Sequence, residues 1–318
     1  MTWWTELAEL LSSPLMQRAL IAAVLVGAAA PVVGTFLVQR RLALMGDGIG
    51  HVALTGVAVG WLVGSWAAAS PADALAVPGA VVAAVIGSVV IELVRERGRT
   101  SGDLALAIMF YGGIAGGVLL IKVAGGTNAN LMSYLFGSIA TVTTADLWWT
   151  VALAALVLGV GVGLRWVLFA VSHDEEFARA SGLPVRLVSM VVATLAALTV
   201  TIAMRVVGLL LVSALMIVPV AVAQLYARSF GRTMAVASAV GVAVSVVGLT
   251  VTYWNDVPPG ATIVVLAIAV YAVGAAVRPL VHRRAPGEDP HPDMSDDVLV
   301  PGATADDCAP APAAPPHR

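Results

Sequence analysis

Apolar stretches of membrane-spanning length recur along nearly the whole chain, and no other feature restricts its fold so tightly. A helix needs about 20 largely apolar residues to cross the hydrocarbon core of a bilayer. Nine segments meet that need, at 17–38, 47–66, 77–94, 104–122, 147–169, 186–204, 207–227, 233–254 and 260–280. With 59% hydrophobic and 11% charged residues among 318, the chain has too little polar surface to stay dispersed in water. The expected fold is an all-α polytopic membrane protein of about nine transmembrane helices, eight also being compatible with the pattern. A net charge of −2 argues for no partner and against none, because most of the chain never meets water.

Arginine placement orients these spans. Arg40 and Arg41 follow the first, Arg95, Arg97 and Arg99 the third, Arg179 and Arg186 the fifth. Arg228 and Arg232 follow the seventh, and Arg278, Arg283 and Arg284 the ninth. The alternate connections hold little beyond Arg18, Lys122 and Arg205. The positive-inside rule then puts the N-terminus outside and the C-terminus in the cytoplasm. Residues 1–14 lack a basic n-region and carry Glu6 and Glu9, so they do not read as a signal peptide. With Trp3 and Trp4 they read as an interfacial segment. Residues 15–284 form the expected transmembrane domain. Residues 285–318, rich in Pro, Ala and Asp, cannot bury a core and read as a disordered cytoplasmic tail, its His291 and His317 solvated. The single cysteine, Cys308, excludes an intrachain disulfide.

Asp47 and His51 interrupt this apolar background one helical turn apart. An ionisable residue within a span is costly and marks an ion or substrate pathway by default. A carboxylate and an imidazole at i and i+4 share a helix face and suit a divalent transition metal. The competing reading is local, with Asp47 capping the second span and His51 bonding to it. One Asp and one His are too few for a tight site. A two-fold axis along the pathway would supply two of each, and protonation of His51 would then remove a ligand, so transport is expected to fall below the imidazole pKa. Gly56, Gly60 and Gly64 recur at the four-residue spacing that lets helices approach closely. Gly46, Gly48 and Gly50 are read as a place where the backbone bends.

Two connections look structured. Leu131-Met132-Ser133-Tyr134-Leu135-Phe136-Gly137 is too short to span yet apolar enough to re-enter the membrane. The loop near 173–184 reads as a short helix, with Asp174, Glu175 and Glu176 at its start and Gly182 and Pro184 as its stop. Phe177, Ala178 and Ala180 would seat it in a partner's groove; an ordinary acidic turn is the alternative. Lys122 is the one lysine and no phosphate-binding glycine loop surrounds it, so any ATPase must be a separate polypeptide. Neither H-E-x-x-H nor G-x-S-x-G occurs, so the chain is not expected to be an enzyme.

Several of these stretches resemble one family. Arg40-Arg41-Leu42-Ala43-Leu44-Met45-Gly46-Asp47, followed by His51 and Gly56, is similar to the signature of the metal-uptake ABC transporter permeases, the membrane subunits of zinc and manganese importers. Tyr134-Leu135-Phe136-Gly137-Ser138 resembles the family's outer segment, and the run from His173 to Gly182 its cytoplasmic coupling loop. Similar stretches continue through Val207–Pro219 and Pro259–Thr262, in order, over residues 15 to 280. The resemblance implies a homodimer in the plasma membrane, driven by two separate ATP-binding subunits and fed by an extracytoplasmic metal-binding protein, with no nucleic acid among its partners. It implies Asp47 and His51 as pathway residues, with no permanently bound cofactor; an Asp and a His accommodate zinc, manganese or ferrous iron, and zinc is taken first and manganese second as cargo, with little between them. The rivals are a secondary transporter using Asp47 and His51 as a proton relay, and an intramembrane enzyme using His51 as base.

Overall fold

A computed structural model describes residues 12–67, 74–97, 102–137, 143–204, 208–255 and 257–281. Trp3, Trp4, Arg99, Arg205, Asp256 and the tail with His291, Cys308 and His317 lie outside these residues. Residues 1–278 form one compact unit; the second, 279–318, is described only at its start.

All the described elements are helices. In order they are α1 Pro14–Gln39, α2 Met45–Trp66, α3 Ala76–Arg97, α4 Gly102–Val123, α5 Asn128–Phe136 and α6 Thr144–Gly163. Then come α7 Arg165–His173, α8 Glu175–Ala180, α9 Val185–Ala203, α10 Leu209–Tyr226, α11 Phe230–Trp254 and α12 Pro259–Val281. Eight are long and apolar enough to cross a membrane, and α10 is a shorter ninth, so the expected architecture holds. The fifth predicted span, 147–169, is divided at Leu164, where α6 ends and α7 begins. Gly159, Gly161 and Gly163 weaken the helix there, and Arg165 is expensive to keep in lipid.

α1 is the central post, packing against α6, α9, α10 and α11. Its buried face is mostly Ala, Gly and Val, and α11 comes close because both sides present glycine. A Cβ on Gly27 would meet the Gly241 carbonyl at 2.7 Å. At the Arg40 end, Phe36 packs on Phe230 with ring centroids 5.3 Å apart. α11 therefore starts at that end and runs away from it. α6 ends there too, since Gly161 lies against Val32. Trp66, Trp148, Trp149 and Trp254 thus gather at the opposite end, all exposed, as an interfacial belt.

α9 ends and α10 begins inside the bundle. Ser189 of α9 meets Arg40, and Ala203 lies about 21 Å further along, short of a ~30 Å hydrocarbon core. Val200 and Leu209 both pack on Gly50, which puts them at one level. There Gly208 has φ +89°, and a Cβ on it would strike the backbone of Leu135, Phe136 and Gly137. The end of α5 thus lies against the start of α10, and irregular backbone at depth is tolerated only against protein in this way. Pro219 lies within α10.

Candidate functional site

The α1–α2 elbow folds inward before α2 begins. Arg41 takes φ 57°, a left-handed conformation few non-glycine residues adopt. The Leu42 amide donates to the Leu37 carbonyl at 2.9 Å, turning the chain back along α1. Gly46 and Gly34 both close on Met216, so α2 begins at the level of Gly34, about 9 Å inside Arg40. Gly46, Gly48 and Gly50 are all helical and packed, against Ser213 and Met216, Leu106, and Leu209 respectively. Expected as a bend, they lie instead within regular helix; a Cβ on Gly46 or Gly50 would make only ordinary contacts, and one on Gly48 would press on the Leu106 side chain.

Asp47 occupies the first turn of α2, whose N-cap is Leu44 with no side-chain capping bond. The local capping reading therefore fails. The half-buried Asp47 instead lines a cavity of about 240 Å³ together with Leu44, Gly48, Leu106, Ala107, Phe110 and Tyr111. One turn on, His51 is 3% exposed, with its Nδ1 buried and without a hydrogen-bond partner. The imidazole meets the edge of Phe110, with ring centroids 4.3 Å apart, so Phe110 touches both the cavity and the histidine. α4 is pressed onto this stretch. A Cβ on Gly113 would meet the backbone carbonyl of His51, and the Thr55 hydroxyl donates to the Gly113 carbonyl at 2.8 Å. On the other side of α2, Cβ atoms on Gly56 and Gly60 would collide with the carbonyls of Gly79 in α3 and of Leu75 just before it, and Gly64 is buried a turn further. Among the described residues no three His, Cys, Asp or Glu come together as a metal cluster.

The second predicted cluster folds as a capped helix. Asp174 Oδ1 accepts from the Phe177 amide at 2.8 Å. Gly182, at φ +80°, closes the other end, where the amides of Gly182 and Leu183 donate to Arg179 and Ala178 carbonyls. α8 has two faces. Ala178 is 1% exposed and seats the helix on the body, whereas Phe177 is 68% exposed, with Glu176 and Ala180 exposed beside it.

Glu175 turns toward the body and joins a group of charges that sequence reasoning missed. Its Oε2 lies 3.6 Å from Arg40 Nη2 and 3.9 Å from Arg95 Nη2. Glu92, 2% exposed at the side chain, accepts from Arg95 at 2.9 Å and lies 3.9 Å from Arg40. Arg40, 4% exposed, also donates to Ser189 Oγ at 2.9 Å. Burial pushes the Arg40 guanidinium below its ordinary value and Arg95 adds to this, while Glu92 and Glu175 oppose it. A guanidinium nonetheless remains charged. The signal was available for Glu92, an acid within a predicted span and three residues before Arg95. Nothing in the sequence marked Ser189, Phe110 or Tyr111.

The fold is thus a polytopic helical bundle with a half-buried carboxylate and a buried imidazole one turn apart, and a capped helix displayed at one end. Residues 12–278 match the family described as ABC-3, the ABC 3 transport family, and the chain belongs to it. The manganese transport system membrane protein MntC of Halalkalibacterium halodurans is 33% identical over 265 residues, covering 83% of this chain and 88% of that protein. The manganese import system permease protein ScaB of Streptococcus gordonii is 32% identical over 264 residues, covering 83% and 91%. Among solved structures, PsaBC from Streptococcus pneumoniae in complex with Fab aligns with a TM-score of 0.75 at 31% identity, covering 84% of this chain and 95% of that one. The resemblance read from the motifs thus holds for the family.

Proposed function

We propose that this chain is the membrane-spanning permease of an ATP-driven importer of divalent metal, and that its cargo is manganese ahead of zinc or ferrous iron. The observation that carries this reading is the cavity holding Asp47. Its wall includes Tyr111, 70% exposed, on an α4 face that continues through Ile108 and Leu104. A carboxylate in a cavity beside that face cannot be left open to lipid without a large cost. A second copy covering the face would enclose the cavity and bring a second Asp47 and His51, giving four donors around one pathway. Asp and His accommodate manganese, zinc or iron, so the donor set does not rank them. Manganese comes first because the relatives are named as manganese transporters.

Two cytoplasmic ATP-binding subunits would dock on the Glu176, Phe177 and Ala180 side of α8. An extracytoplasmic metal-binding protein would deliver at the tryptophan end, in a plasma membrane with the N-terminus outside. Mn²⁺ uptake into vesicles is expected to require a co-expressed ATP-binding subunit. Uptake driven by a proton gradient alone would favour the proton-relay transporter and defeat this reading. Replacing Glu176 and Phe177 together by alanine should lower the Mn²⁺ moved per ATP hydrolysed by about tenfold. Unchanged stoichiometry would count against α8 as the docking element.

A further inference from the structure

We infer that Glu175, Arg40, Glu92 and Arg95 form an ionic relay that transmits displacement of α8 to the α1–α2 elbow and so to Asp47. The relay presupposes the importer reading. Buried charges are costly unless paired, and a neutral pair of apolar side chains would serve packing equally well. Here Arg40 and Glu92 are buried while Arg95 and Glu175 are partly exposed, and together the four join four elements, α8, α3, the end of α1 and, through Ser189, α9. Arg40 is common to three of these contacts, all through Nη2. It is also the residue at which α1 gives way to the left-handed Arg41 and the inward elbow that carries Asp47. Helix α8 touches the body through the buried methyl of Ala178, which resists only compression, and through Glu175, which can pull as well as push. Arg179, 3.2 Å from Glu175 Oε1, steadies that carboxylate from the exposed side. Besides its chain links to α7 and α9, α8 therefore has a side-chain route to the elbow, through one carboxylate and one guanidinium, and these are positioning residues that do not touch the cargo.

The test uses the permease reconstituted with its ATP-binding subunits in proteoliposomes, with Mn²⁺ as the probe, reading ATP hydrolysed and Mn²⁺ moved together. E175Q leaves the Asp174 cap, the Ala178 contact and the exposed docking face intact, and Glu92 keeps both arginines. The complex is expected to assemble and hydrolyse ATP, while the Mn²⁺ moved per ATP falls by about tenfold. R40K, which keeps the charge but loses the planar fork, should shift the ratio in the same direction by a smaller factor. A wild-type ratio in E175Q overturns the relay. So does loss of the ATP-binding subunit from E175Q, which would make Glu175 a docking residue. A wild-type complex that moves no Mn²⁺ at all would instead defeat the importer reading on which the relay depends.

Discussion

Alanine at both Asp47 and His51 is expected to reduce ATP-driven Mn²⁺ uptake by about a hundredfold or more. Changes to groups that merely orient metal ligands already cost about 10- to 100-fold, and here the donors themselves are removed. The variant should still fold. Asp47 makes no capping bond, and α2 is held by backbone contacts to α3 and α4 that neither side chain provides. Loss of His51 leaves space beside Phe110 rather than a clash. Uptake at the normal rate by an assembled complex would remove the pair from the pathway.

The second large effect concerns how α4 is held against the histidine. Valine at Gly113 should lower stability by about 1–3 kcal/mol or more, because its side chain must push the His51 backbone away. The Thr55 hydroxyl bond to the Gly113 carbonyl would be displaced with it. Alanine at Gly159 of α6 serves as the contrast, since nothing lies within 4 Å of a Cβ there. That change should stabilise by up to about 1 kcal/mol through helix propensity alone. Thermal unfolding of both variants in detergent separates the cases. Equal melting points would mean that α4 does not press on α2 at His51.

Much of this molecule can be read before any coordinates. Each long apolar run declares a helix, because lipid leaves the backbone no other partner. Asp47 and His51 stand out because a charge in such a run needs a reason. Asp174 and Gly182 punctuate α8 by purely local chemistry, an N-cap and a left-handed stop. Features that depend on distant pairing were hidden. α9 and α10 look like two ordinary spans, and only the packing of Val200 and Leu209 on Gly50 reveals that one ends and the other begins at the same level. Glu175 looked like a dipole-complementing first-turn acid, and Arg40 like an orientation signal. Their meeting joins residues far apart in the chain.

Hydropathy and local capping thus settled the kind of elements and most of their places, though not the break of 147–169 at Leu164, because both act within a single segment and need no neighbour. Which charges neutralise one another, which glycines are crossing points and where the elbow sets Asp47 were decided by the assembled bundle. Each of those is a contact between helices, and its energy exists only once the partner surface is in place.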